Sequence, residues 1–224
     1  MIELEIISSI CKVVMFFTTC YLFIVGLKSR DKTNIIFSFW YLSIFSLFDS
    51  FLYIYFIIFT KDVDTYNSIS KWSQLTYILL EFFVISNFLF GINKIKHAKT
   101  LKLIIILISA ITLLVTYINN WDYKEKYYSI LTIIELVFIN TFAIRYLLII
   151  FPEIPDQQSK SATILVKGIF LFINISSPYY IIVQIVVNQP NSIISLLSFI
   201  NDIAYTLFFI YIIKSIKCQY KKLE

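Results

Sequence analysis

The chain has 224 residues, 59% of them apolar and 15% charged, with a formal net charge of +5, whereas soluble domains hold roughly 45–50% apolar and about 25% charged residues. A soluble sphere of this size has too little interior for that much apolar surface, and with 3 glycines and 4 prolines there is no material for flexible linkers or glycine-rich phosphate loops. The basic residues are scattered over loops between long apolar runs and form no single face, which argues against nucleic acid as a partner and makes the lipid bilayer the expected one.

The N-terminus, Met1-Ile2-Glu3-Leu4-Glu5, is acidic where a signal peptide needs positive charge, so the first apolar stretch, 4–27, is expected to be retained as a helix. It holds Lys12, Cys11 and Cys20; with Cys218 beyond the last apolar stretch, the cysteine spacing fits neither a disulfide framework nor a thiolate metal site. After the charged loop Lys28 to Asn34 comes a long stretch, 34–60, carrying Asp49. The third, 72–93, follows Lys61 to Asp64 and carries Glu81 and Asn87. The basic segment Asn93 to Lys102 includes the one histidine, His97, and leads into the fourth and most uniformly aliphatic stretch, 101–118. The fifth, 128–150, carries Glu135 and Asn140; the sixth, 163–187, Asn174 and Pro178; the seventh, 194–214, Asn201 and Asp202. Each stretch is close to the roughly 20 residues that a spanning helix requires. The expected fold is therefore all-α: one polytopic transmembrane bundle of seven helices with no soluble domain.

Orientation follows from the distribution of Lys and Arg, which stay on the cytoplasmic side. One set of alternate loops and helix ends holds 14 of the 19, from Lys28, Arg30 and Lys32 to Lys221 and Lys222. The other holds 4, namely Lys61, Lys71, Lys124 and Lys126, and Lys12 is intramembrane. The bias predicts an external N-terminus and a cytoplasmic C-terminus, with Trp72, Trp121, Tyr123, Tyr127 and Tyr128 at the outer boundary. Heavy use of Ile, Lys, Asn, Phe and Tyr suggests an AT-biased genome, so a bacterial plasma membrane is the expected location.

A charged side chain at a helix centre costs roughly 2.5–3.5 kcal/mol even on the lenient insertion scale, so the charges inside the spans are the informative residues. They are Lys12, Asp49, Glu81, Glu135 and Asp202, which lie 7 to 11 residues from the outer ends of their helices. At 1.5 Å per residue that is a depth of roughly 10 to 17 Å, one layer in the outer half of the membrane. Tyr77-Ile-Leu-Leu-Glu81 is also similar to Leu131-Thr-Ile-Ile-Glu135, with both acids in helices expected to be parallel. Five such groups are expected to converge on a polar interior, to which Asn87, Asn140, Asn174 and Asn201 contribute amides. Four carboxylates against one lysine suit a small cation, an amine or a proton, because that many negative charges in low dielectric cannot all remain ionised.

No nucleophile, base and metal set appears, so neither an enzyme nor a cofactor is expected. One histidine cannot supply a zinc site, and helix seven has no central lysine for a retinal Schiff base. The leading expectation is a membrane sensor or signalling component with an outward-facing polar cavity, acting on a separate cytoplasmic protein partner. A proton- or cation-coupled transporter or small channel is the first alternative, and an oligomerising accessory or effector protein the second. The oligomeric state is open.

Overall fold

A computed structural model describes residues 2–28, 38–118, 124–150, 157–185 and 191–220. Among them there is no strand. The helices are α1 (Ile2–Lys28), α2 (Ser38–Leu52), α3 (Val63–Ile92), α4 (Ala98–Ile118), α5 (Lys124–Arg145), α6 (Gln157–Ile185) and α7 (Asn191–Tyr220). Two π-helical segments extend α2 and α5: π1 (Tyr53–Phe59) and π2 (Tyr146–Ile150). Four stretches are long and apolar enough to cross a membrane, Ser9–Leu27, Phe39–Phe59, Lys160–Tyr179 and Leu196–Cys218, and Thr76–Ile92 is a shorter apolar helix. Phe17, Phe59, Ile111, Leu114 and Leu148 each leave more than half of their surface exposed. Large apolar side chains presented outward in this number fit lipid and not water, and mark a membrane protein.

Pairs of contacts fix the helix directions. Ser9 meets Tyr53 and Phe23 stacks on Trp40, so α1 and α2 are antiparallel. Tyr53 meets Tyr66 and Phe39 meets Phe88, which makes α2 and α3 antiparallel. Lys12 meets Asp202 and Lys217 donates to the Tyr21 hydroxyl at 2.6 Å, so α1 and α7 run in parallel. Phe82 meets Phe138 and Phe90 meets Phe142, which aligns α3 with α5. Thus α1, α3, α5 and α7 run one way, and α2 and α6 the other.

The pair α6–α7 is the most extensive in the bundle. Its helices approach closely because small residues face it. Ser161 Oγ donates to the Ser215 carbonyl at 2.7 Å, Ser215 Oγ donates to the Ser161 carbonyl at 2.9 Å, and Gly168 lies directly against Tyr211. Where the hydrophobic effect between helices is weak, such close packing and interhelical hydrogen bonding hold the pair together. A Ser161→Ala/Ser215→Ala double-mutant cycle is expected to give a coupling of about 0.6 kcal/mol, at most about 1.7. Unfolding in mixed micelles measures it, and additive single effects would contradict the reciprocal clasp.

The helix ends refine the predicted boundaries. At the end of π1, the amide of Thr60 donates to the Tyr55 carbonyl and that of Asp62 to the Phe56 carbonyl, so the helix finishes in widened turns. Lys61 then turns the chain with φ 58°. Asp62 caps α3 by accepting from the Thr65 amide at 3.0 Å, which holds its carboxyl below the usual range and starts the helix at Val63, nine residues before the predicted span. Asn93 ends α3 and is buried. Its Nδ2 donates to the carbonyls of Leu89 and, across to α5, Phe142, so a residue predicted as the first of a loop ties two helices together. Trp121 and Tyr123, Arg30 and Lys32, and Lys221 and Lys222 lie outside the described residues, as do the side chains of Trp72, Lys71, Lys124, Lys126, Tyr127 and Tyr128.

Candidate functional site

On α1 the residues Lys12, Met15, Thr19 and Leu22 follow three- and four-residue spacing, and the last three are buried. That stripe is the face a helix turns towards its neighbours. On α7 the corresponding stripe is Asn201, Asp202, Tyr205, Phe208, Phe209 and Ile212, all buried. Because α1 and α7 are parallel neighbours, the stripes meet side by side: Lys12 Nζ lies 2.8 Å from Asp202 Oδ1, with side chains 16% and 3% exposed. Asp49 of α2 is the second carboxylate acting on the Lys12 ammonium. The Tyr53 ring centroid lies 5.9 Å from Nζ, within cation–π range, and Tyr66 packs edge-on to that ring. Tyr179 of α6 also feels both Lys12 and Asp202. This first group therefore holds one ammonium, two carboxyls and three phenols.

A second group is carried by the same turn of α7, three residues or about 4.5 Å further along. The Tyr205 hydroxyl donates to Glu81 Oε2 at 3.2 Å. Glu81 is 3% exposed and Glu135 5% exposed, on the neighbouring helices α3 and α5 that meet at Phe82 and Phe138, near enough for each charge to be felt by the other. Glu135 belongs to the buried stripe Glu135, Ile139, Ala143 and Tyr146, with four- and three-residue spacing, which is why it points inward. The surroundings are aromatic: Phe82 meets Phe138 at 5.9 Å, and Phe172 and Tyr77 lie 4.7 Å and 5.6 Å from Tyr205. Glu81 Oε1, Glu135 Oε1, Asp49 Oδ1, Asp202 Oδ2 and Asn201 Oδ1 are buried and accept no hydrogen bond among the described residues.

The five predicted charges thus gather at adjoining levels, but in two groups and not one: Lys12, Asp49 and Asp202 in one, Glu81 and Glu135 in the other. The predicted amides divide as well. Asn201 is buried on α7, next to Asp202 in the chain and one turn before Tyr205. Asn140 and Asn174 instead face each other at the outside of α5 and α6, with Nδ2 to Oδ1 distances of 3.2 Å and 2.8 Å, and Asn174 is exposed. Asn140 is five residues from Glu135, about 140° around the helix, so it cannot share the inward face. Asn87 is half-buried, six residues beyond Glu81 on α3. His97 is exposed in the turn before α4. The tyrosines were not singled out from the sequence. Their signal was spacing, since Tyr77 precedes Glu81 by four residues and Tyr205 follows Asp202 by three, which puts each phenol on the face of a buried acid.

Towards the C-terminal end of α7 the interior becomes apolar. Phe39 meets Phe88 and Phe208, and Phe208 stacks on Phe172 at 4.7 Å, so rings from α2, α3, α6 and α7 close the space next to the acids. Phe209, Ile212 and Ile213 continue this wall and are buried. Two of the hydroxyls here are turned back on their own helices, Thr19 donating to the Met15 carbonyl and Ser43 to the Trp40 carbonyl, while the buried Ser86 hydroxyl has no partner among the described residues. Comparison with protein-family models, curated proteins and solved structures gives no match, so the functional reading rests on this site.

Proposed function

We propose that the chain is a seven-span membrane sensor, with its N-terminus outside and its C-terminus in the cytoplasm, whose buried carboxyl layer takes up a small cation, an amine or a proton from the outer side. The alternating helix directions and the 14-to-4 distribution of Lys and Arg support the topology, and a reporter fused to either terminus reads it. The observation that carries the function is the set of three buried acids, Glu81, Glu135 and Asp202, with the half-buried Asp49, against one lysine around a single turn of α7. Unpaired charge in a medium of low dielectric is expensive, and a bundle that keeps it has a use for it. Direct contact between α7 and α1 at Asp202–Lys12, and again at Lys217–Tyr21 near the other end, supports passage of a change at the layer to the cytoplasmic ends of both helices and to a protein partner there.

The aromatic wall favours a sensor over a coupled transporter, since a carrier needs its polar path to continue past the layer. Reconstituted in liposomes, the protein is expected to pass neither protons nor sodium down a gradient. Its tryptophan fluorescence should nevertheless respond saturably to external pH or cation, and Glu81→Gln should abolish the response. Sodium or proton flux that disappears with Glu81→Gln would instead establish transport.

A further inference from the structure

We propose that Glu81 and Glu135 form a dedicated proton site, one proton shared between their carboxyls, and that Lys12, Asp49 and Asp202 form a separate, internally compensated site. This rests on the binding-layer reading above and narrows its ligand to the proton.

The two groups differ in what they already hold. At the first, the Lys12 ammonium lies 2.8 Å from Asp202 and over the Tyr53 ring, and feels the charge of Asp49 on α2. Carboxyl and aromatic face are what an amine ligand would seek, and the chain itself supplies that amine. At the second, no Lys or Arg ion pair is found among the described residues. The groups that act on Glu81 are Glu135 from α5 and the Tyr205 hydroxyl from α7. Lys12 and Asp49 belong to the first group, and the α3 side chain nearest in register is Tyr77. Two carboxylates at 3% and 5% exposure amid phenylalanine rings, both ionised, would add mutual repulsion to a double desolvation cost, whereas one shared proton leaves a single negative charge that the Tyr205 hydroxyl helps to stabilise. One must be neutral, and like charges at close quarters share a proton.

The donor set separates a proton from a metal ion. Calcium takes 6–8 oxygen ligands and magnesium a full octahedron, and no cluster of three His, Cys, Asp or Glu able to hold a metal occurs among the described residues. A proton requires one acceptor on each side. Those acceptors are present: Glu81 Oε1 and Glu135 Oε1 are buried and unpartnered, and so is Asn201 Oδ1, one turn before Tyr205 on the same face of α7 and 8% exposed. Uptake forms an O–H bond on one glutamate oxygen with a proton from water, and release breaks the same bond; no oxidation state changes. Tyr205, donating to Glu81 Oε2, places the event three residues from Asp202 and hence from Lys12.

Infrared difference spectroscopy on the full chain in nanodiscs, between neutral and alkaline pH, tests this with glutamate carrying ¹³C at the carboxyl. The expected result is a protonated-carboxyl stretch at neutral pH that moves with the glutamate label, vanishes in Glu81→Gln or Glu135→Gln, and is unchanged in Asp49→Asn. Absence of any label-sensitive protonated band in the wild type overturns the proposal, and this readout stands even if neither Gln variant folds. Calorimetric titration with sodium and methylammonium separates the two levels of inference. Saturable binding without the protonated band would overturn the proton site but keep the binding layer, whereas neither band nor binding would overturn both.

Discussion

Asp202→Leu should lower the unfolding free energy of the bundle by about 3–5 kcal/mol, and adding Lys12→Met should restore most of the loss. The single change leaves an ammonium 16% exposed without its ion-pair partner, in surroundings that solvate it poorly. The double change replaces both charges by apolar groups of similar volume, which at buried ion pairs is often neutral or stabilising. Asp49 modifies the expectation in a readable way, because it is the second carboxyl acting on Lys12. In an Asp49→Asn background the cost of Asp202→Leu should rise, since no acid then remains for the lysine. Unfolding in mixed detergent micelles measures all the variants, and a cycle with coupling near zero would dissolve the pair as a structural element.

Gly168→Ala should cost about 1–3 kcal/mol, despite the roughly 0.5–1 kcal/mol that alanine gains over glycine in a helix. A Cβ added there meets the Cβ of Tyr211 and lies 2.7 Å from its Cγ. Tyr211 Cβ is fixed to the α7 backbone, so no rotamer relieves the clash and the two helices must separate. Separation also pulls apart the Ser161–Ser215 clasp seven residues away. Gly26→Ala is a milder case: the added Cβ meets the Trp40 ring, which can tilt, although it then loses its Nε1 hydrogen bond to the Phe23 carbonyl at 3.1 Å. The expected order of thermal stability is wild type, Gly26→Ala, Gly168→Ala. A Gly168→Ala protein as stable as the wild type would show that α6 and α7 are further apart than described.

Legibility from sequence differed from residue to residue for one reason. Whether a residue lies in an apolar helix, and how far from its end, depends on neighbours in the chain; hydropathy and a 1.5 Å rise give both. Lys12 and Asp202 were therefore placeable at similar depth before any contact was known. Direction around the helix is a different matter, because each residue turns by about 100° and inward and outward faces are chosen by packing. In helices apolar on every side the sequence offers little contrast between faces, so Asn140 and Asn174 read as interior amides while their positions put them at the outer side of α5 and α6. Asn93 read as loop for the same reason, its bond to the Phe142 carbonyl being invisible without α5 in place.

The chain by itself determined an all-helical protein for a membrane and the residues whose charge needs an explanation, since transfer free energies belong to side chains and segments. Only the tertiary structure decided the pairing. It gave Lys12 to Asp202 and Glu81 to Tyr205, buried Glu135 on the neighbouring helix, and closed the interior beyond them with Phe39, Phe172 and Phe208. Pairing depends on helix rotation and neighbour order, which arise from shape complementarity between helices far apart in sequence, and no local property of any one helix encodes them.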